Sequence, residues 1–193
     1  SSPITAAEVA NGGVRLGFPG LVPGPGGDLD IWWREGRPAE GGRQVIVSAA
    51  RADLLPAPWN ARTRVHEYGG RSWLALPDPL RPDQLLPALV FSEWSDQRLY
   101  RLDADSGAAP RPLTPVPSVD AGWRYADFVL AAGGSEIWCV REQHDADGVV
   151  SRAIVAIPVD GSAAGDAGRV RVVVAGSQFY AWPRVSPDGR RLA

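Results

Sequence analysis

Val185-Ser186-Pro187-Asp188-Gly189-Arg190-Arg191-Leu192-Ala193 reads as a strand, a tight turn and the opening of a second strand. Proline suits the first central position of a β-turn, aspartate bonds the local backbone, and glycine accepts a positive φ. The same scheme stands earlier, at Phe128-Val129-Leu130, then Ala131 to Ser135, then Glu136-Ile137-Trp138. A hairpin cut in mid-strand predicts that the chain is a segment of something larger.

A second unit repeats around this one. Leu99-Tyr100-Arg101-Leu102-Asp103-Ala104-Asp105-Ser106-Gly107 leads to Arg111-Pro112-Leu113-Thr114. Its counterpart, Val155-Ala156-Ile157-Pro158-Val159-Asp160-Gly161, leads to Arg169 to Val174. Each is a strand, an Asp/Gly-rich turn and a closing strand. Further runs of β-branched and aromatic residues lie between Gly, Pro, Asp and Asn clusters, as strands do. They include Asp30 to Arg34, Gln44 to Val47, Ser72 to Leu76 and Ala88 to Ser92. In the last run of the chain's third unit, Val170, Val172 and Val174 alternate with Arg169 and Arg171, which predicts one wetter face.

Four short strands per unit at a spacing of roughly 40–60 residues is the mark of a β-propeller blade. The units predict an all-β partial propeller of four-stranded antiparallel blades. Blades are expected at about 14–58, 66–116 and 122–176, with the start of a fourth at 178–193, so that 14–193 is one incomplete propeller domain. An all-β sandwich with similar strand spacing is the rival; agreement of the repeats in turn chemistry as well as length favours the propeller. A closed ring takes roughly 4–8 blades, so this one is expected to stay open. The stretch Pro19 to Asp28 is too rich in strand breakers for a strand and is expected to be an exposed loop, as is Arg81-Pro82-Asp83-Gln84. One short helix is expected in residues 1–13, where Thr5 and Glu8 fit a capping box and Gly12-Gly13 ends it.

The chain has 193 residues, 45% of them hydrophobic and 22% charged, an ordinary globular composition. A net charge of −2 offers no electrostatic case for nucleic acid or an anionic membrane. No apolar stretch approaches the ~20 residues of a membrane-spanning helix, and the first residues show no signal sequence. A soluble, cytoplasmic protein is the expectation. Cys139, the single cysteine, sits in the apolar run Ile137-Trp138-Cys139-Val140 and reads as a buried thiol.

Chemistry is sparse. His66 and His144 are the only imidazoles, with no second His or Cys at metal-ligand spacing, so neither a metal nor a cofactor is expected. His144 lies in the polar run Gln143 to Gly148 and is expected to be solvated; Asp145 and Asp147 there lack the downstream Glu of a calcium loop. Gly161-Ser162-Ala163-Ala164-Gly165 has the wrong order for a nucleophile elbow, and a lysine-bearing phosphate loop is ruled out because no lysine exists. Trp32, Trp73 and Trp138 lie in strands and read as core. Trp59, Trp94, Trp123 and Trp182 lie near strand ends. A sugar-active propeller would need clustered carboxylates beside exposed Trp, and no convincing pair is present.

The densest polar cluster is Arg62-Thr63-Arg64-Val65-His66-Glu67-Tyr68-Gly69-Gly70. Arg64, His66, Glu67 and Tyr68 are the candidates for contact with a substrate or a neighbouring domain. The plainer reading is that they fix the connection between the first two blades, with Glu67 pairing an arginine and Gly69-Gly70 allowing close backbone approach.

That cluster also carries a family resemblance. Arg64 to Gly70, Ser95-Asp96-Gln97-Arg98-Leu99-Tyr100-Arg101, Arg124-Tyr125-Ala126-Asp127, Val140-Arg141-Glu142 and Ser186-Pro187-Asp188-Gly189 occur in order. Together with Gly36 to Arg43, they resemble the N-terminal propeller of prolyl oligopeptidase-family serine peptidases, of the bacterial dipeptidyl aminopeptidase/acylaminoacyl peptidase-like branch. The resemblance implies a propeller that caps a C-terminal α/β-hydrolase domain bearing a Ser-Asp-His triad, limits access to short peptides and helps hold the substrate's N-terminal end. No position here matches the nucleophile motif, so the chain by itself is expected to be inactive, with the hydrolase domain and the remaining blades as its missing partners. Self-association through uncovered blade faces is also expected. A TolB- or WD-like propeller that only binds protein partners is the alternative.

Overall fold

Alternating and β-branched runs punctuated by Gly, Pro and Asp form three antiparallel sheets in the computed structural model, which describes residues 5, 12–24, 28–77, 87–103 and 106–193. The first sheet is β1 (Arg15–Pro23), β2 (Leu29–Arg37), β3 (Arg43–Ser48) and β4 (Ala52–Asp53). The second is β5 (Trp73–Leu76), β6 (Ala88–Ser92), β7 (Leu99–Leu102) and β8 (Arg111–Pro112). The third is β9 (Trp123–Leu130), β10 (Glu136–His144), β11 (Val150–Pro158) and β12 (Arg171–Ala175). Each is a four-stranded meander whose spatial order follows the chain. This is the all-β, open partial propeller that the repeats predict.

The core lies between the sheets. Trp32, Val45 and Leu55 of the first sheet's region pack with Trp73, Leu89 and Phe91 of the second. Val90, Leu99 and Leu113 pack with Tyr125, Ile137, Cys139 and Val155 of the third. A middle strand such as β6 is therefore buried along its whole length, which is why Ala88 to Ser92 reads as a continuous apolar run. Each fully buried Leu or Phe contributes about 1.5–3 kcal/mol of transfer free energy. Cys139 is buried, and that burial pushes its thiol far above the ordinary range.

The first strands of successive sheets converge and form an inner rim. β5 packs on β9, and a Cβ on Gly20 of β1 would come within 3.1 Å of the Trp73 ring of β5. Beyond β12 the chain returns to this rim and ends in the hairpin read from Val185 to Ala193. There Gly189, at φ 70°, donates to the Ser186 carbonyl, and Val185 bridges Leu192. Gly134, at φ 71°, closes the equivalent turn on Ala131 in the third sheet, so the two hairpins share a backbone solution as well as a sequence pattern.

Two local expectations change. Pro19 to Pro23 is strand, not loop: the β1–β2 register slips between Gly17 and Gly20 and then resumes as far as Pro23↔Leu29. The bulge takes Phe18-Pro19 out of the ladder, and β1 is an edge strand, so a missing N–H is tolerated. In β12 the ladder skips Val173, pairing Val172 with Val155 and Val174 with Ile154. Val170 is buried and Arg171 exposed as expected, but beyond the bulge Val173 packs beside Val140 and Ile154 while Val172 and Val174 are exposed. The expected N-terminal helix and the Arg81-to-Gln84 loop lie outside the described residues, Thr5, Gly12 and Gly13 apart.

Candidate functional site

The loop that leads into the second sheet folds back on itself as a turn at residues 65–68, with His66 and Glu67 both at positive φ. Such backbone persists where neighbours over-determine it, and here they do. The His66 amide donates to Glu142 Oε2 at 3.1 Å, and His66 Nε2 lies 3.0 Å from the Tyr180 carbonyl. The imidazole also stacks on Phe179, with centroids 4.0 Å apart and planes 17° from parallel.

The four candidates separate. His66 and Tyr68 face the inner rim, where both line the same cavity. Glu67 points outward, its side chain 82% exposed, and pairs with Arg124 at 3.0 Å. Arg64 turns away: its guanidinium lies over Trp94 at 4.3 Å, its amide donates to Gln97, and its carbonyl accepts from Arg124. Gly69 and Gly70 permit the expected close approach, since a Cβ would sit 2.9 Å from the Thr63 carbonyl oxygen and 2.8 Å from Asp127 Oδ1 respectively. The cluster fastens the second sheet chiefly to the third, through Glu142 and Arg124, and to residues 179–182.

Glu142 is the hub that residue-by-residue reading missed. Only 1% exposed, it takes Arg152 at 2.8 Å, His144 at 2.8 Å and Arg124 at 3.4 Å besides the His66 amide. Burial alone would raise its pKa; the bonds from His144, the His66 amide and Arg152 outweigh that and hold it below the ordinary carboxylate range. His144 is accordingly half-buried and bonded rather than solvated. Glu67, Glu142 and His144 bring potential ligand atoms within 4.8 Å of one another. Two guanidiniums already compensate that charge, which opposes a metal cation there. The one sequence signal for Glu142 is its place in Val140-Arg141-Glu142.

Asp127 is the second unforeseen residue. Its backbone, at φ 58°, occupies the β9 bulge. Oδ1 accepts from the Arg71 amide at 2.8 Å and Oδ2 from the Trp182 amide at 3.1 Å, so one carboxylate joins three successive rim segments. Phe18 and Trp182, at φ 53° and 52°, adopt the same backbone, each just before a proline. The sequence signal for Asp127 is its place in Arg124-Tyr125-Ala126-Asp127. Together Phe18, Arg34, His66, Tyr68, Asp127, Phe179 and Trp182 enclose an open cavity of about 400 Å³ on the rim, aromatic-walled with one carboxylate and one guanidinium. Such a cavity suits a small amphipathic ligand.

The fold and this rim define an open β-propeller segment. Over its whole length the chain is similar to a solved Mycobacterium tuberculosis puromycin-hydrolyzing peptidase, at 49% identity and a TM-score of 0.87, and spans 29% of that chain. It is also similar to two puromycin hydrolase structures, one a mutant complexed with PGG. These match at 44% identity with TM-scores of 0.84 and 0.80, over all of this chain and 29% of theirs. No protein-family model and no curated protein matches the chain. The segment is thus similar to the N-terminal propeller portion of puromycin-hydrolyzing peptidases of the prolyl oligopeptidase family. No helix among the described residues is long and apolar enough to cross a membrane.

Proposed function

We propose that this chain is the non-catalytic propeller portion of a serine peptidase acting on short peptides, where it gates access to the hydrolytic site and positions the substrate. The observation that carries the reading is the whole-chain match to puromycin-hydrolyzing peptidases of which it spans 29%. Hydrolysis belongs to a Ser-His-Asp site on the hydrolase partner, through an acyl-enzyme. The propeller's part is selection: a ring of blades admits only short chains, and the rim cavity receives part of the substrate. Within it His66 and Tyr68 serve the substrate side, while Arg64 and Glu67 serve the scaffold. The aromatic walls suit the short N-terminal portions handled by dipeptidyl aminopeptidase- or acylaminoacyl peptidase-like enzymes. A buried lone thiol fits a reducing, cytoplasmic setting.

The test is to express the complete reading frame that contains this segment and assay it on puromycin and on di- to tetrapeptide amides. Hydrolysis blocked by a serine-directed inhibitor, and extended to longer peptides when the propeller is removed or opened, supports a gating cap. A reading frame without a hydrolase domain, or a full-length protein that cleaves none of these compounds, leaves a protein-interaction propeller instead.

A further inference from the structure

Arg34 is a half-buried charge without a counter-charge among the described residues. It sits in the middle of β2, in register with Gly17 of β1 and Ile46 of β3. Its guanidinium lies 4.6 Å from the centroid of the Phe18 ring, and among the described residues it has no ion-pair or hydrogen-bond partner. Other arginines of the chain are provided for: Arg37 with Asp53, Arg43 with Glu40, Arg152 with Glu142 and Arg171 with Glu136. With 22 acidic residues against 20 basic ones, carboxylates are not in short supply. Three of the arginines that have none among the described residues lie together in one place.

That place is a second cavity, of about 490 Å³, lined by Arg15, Arg34 and Arg62 with neutral Gln44, Thr63 and Tyr68 and, among the described residues, no acidic side chain. Arg62 reaches no carboxylate among the described residues and lies over the Trp94 ring at 4.1 Å. Burial, and then the charge of Arg62, push the Arg34 guanidinium below its ordinary range, which places the two positive groups within electrical reach of each other. Gln44 Nε2 gives one N–H to the Gly42 carbonyl, and the guanidiniums are the charged donors on offer. Arg34, Tyr68 and Gly69 line this cavity and the aromatic one alike, so the two are halves of one groove divided by Arg34.

We propose that Arg34, flanked by Arg15 and Arg62, is a carboxylate-binding site that holds the acidic group of a short peptide lying along this groove. A carboxylate meets the planar guanidinium in a two-pronged, charge-assisted pair, and it relieves the repulsion among the arginines. Arg34 is already partly withdrawn from water, so the added desolvation falls mainly on the ligand. The apolar remainder of the peptide lies among Phe18, Phe179 and Trp182. The carboxylate is either the peptide's C-terminus or a Glu or Asp side chain. This inference rests on the peptidase reading and adds to it a preference for acidic peptides.

The experiment uses the full-length enzyme and three peptides of equal length: a neutral free acid, its C-terminal amide, and the amide carrying one Glu. We expect kcat/KM for at least one acidic peptide to exceed that of the neutral amide by about tenfold, in line with one charge-assisted hydrogen-bonded pair. Preference for the free acid identifies the C-terminal carboxylate, and preference for the Glu peptide the side chain. In Arg34→Gln the ratio falls to near one, and raising NaCl lowers it in the wild type. Should Arg34→Gln fail to fold, Arg62→Gln is expected to lower the same ratio in part. Equal kcat/KM for all three peptides overturns the proposal while leaving the peptidase reading intact. So does an unchanged ratio in a variant whose melting temperature has fallen, because the arginines then hold another part of the protein. Hydrolysis of none of the three overturns the peptidase reading itself.

Discussion

The Glu142 carboxylate accepts the backbone N–H of His66 at 3.1 Å across 76 residues of sequence. This bond fastens the loop before the second sheet to the second strand of the third. The carboxylate that makes it is buried and shared with two guanidiniums and His144. Glu142→Gln keeps the shape and removes the charge, leaving Arg152 and Arg124 without it. We expect a loss of about 2–3 kcal/mol at neutral pH, measured by chemical denaturation. The folded carboxyl titrates below its unfolded value, so its contribution is complete above an unfolded value of about 4.3 and disappears as pH falls through the lower folded value. Wild type and variant should therefore begin to converge in stability as pH falls below about 4.3 and meet only below the folded carboxyl's lower value. A gap that stays constant to lower pH would show that shape, not charge, carries the effect.

Asp127 should be nearly as sensitive for a different reason. Asp127→Ala removes the acceptors for the Arg71 and Trp182 amides and puts alanine at φ 58°. The expected loss is about 2–4 kcal/mol. Asp127→Asn keeps one acceptor and tolerates the left-handed backbone, so it should lose about half as much. Equal losses in the two variants would mean that the carboxylate's charge dominates its bonding.

Gly70 and Gly165 make a controlled pair. A methyl at Gly70 meets Asp127 Oδ1 at 2.8 Å and the Ala126 Cβ at 3.0 Å, whereas one at Gly165 meets nothing within 4 Å. Gly70→Ala is expected to cost about 1–3 kcal/mol by overpacking the rim. Gly165 has φ −105°, which alanine adopts freely, so Gly165→Ala should be neutral or stabilising by up to about 1 kcal/mol. Thermal melts of the two variants side by side decide it.

The segment expressed alone is expected to self-associate. Leu16, Leu21, Leu29 and Ile31 are exposed on the first sheet, and Leu16 and Ile31 line one apolar groove with Pro19 and Trp33. A contiguous patch of this kind on a free edge strand marks an association surface. Sedimentation velocity over a hundredfold range of concentration should show growing particles. A single monomer peak with a cooperative melt would count against open blade faces.

What the residues dictate locally was legible in the sequence. Strand runs, Gly-closed turns and the repeat of Ser186-Pro187-Asp188-Gly189 against Ala131 to Gly134 depend on contacts a few residues apart, and they suffice for an all-β propeller segment. The errors in strand reading were local too, and a bulge lies at each, whereas His144 was misread because its partner Glu142 is buried by distant strands. At Phe18-Pro19 and at Val173 an extra residue shifts the ladder, and no alternation rule sees an insertion. The cluster around His66 was visible as a dense polar motif, but its division into rim-facing and outward-facing residues was not.

The sequence by itself determined the strand units, their turns and the family they resemble, because turn chemistry and pleat alternation act within a single unit. Only the tertiary structure decided the site. Glu142 meets His66, Asp127 meets Trp182 55 residues away, and His66 meets Tyr180 114 residues away, all because successive sheets bring their first strands to one rim. The same packing leaves Arg34 between two cavities with no carboxylate partner among the described residues. Whether a charge is paired depends on neighbours from distant strands, and that information exists only once the blades have assembled.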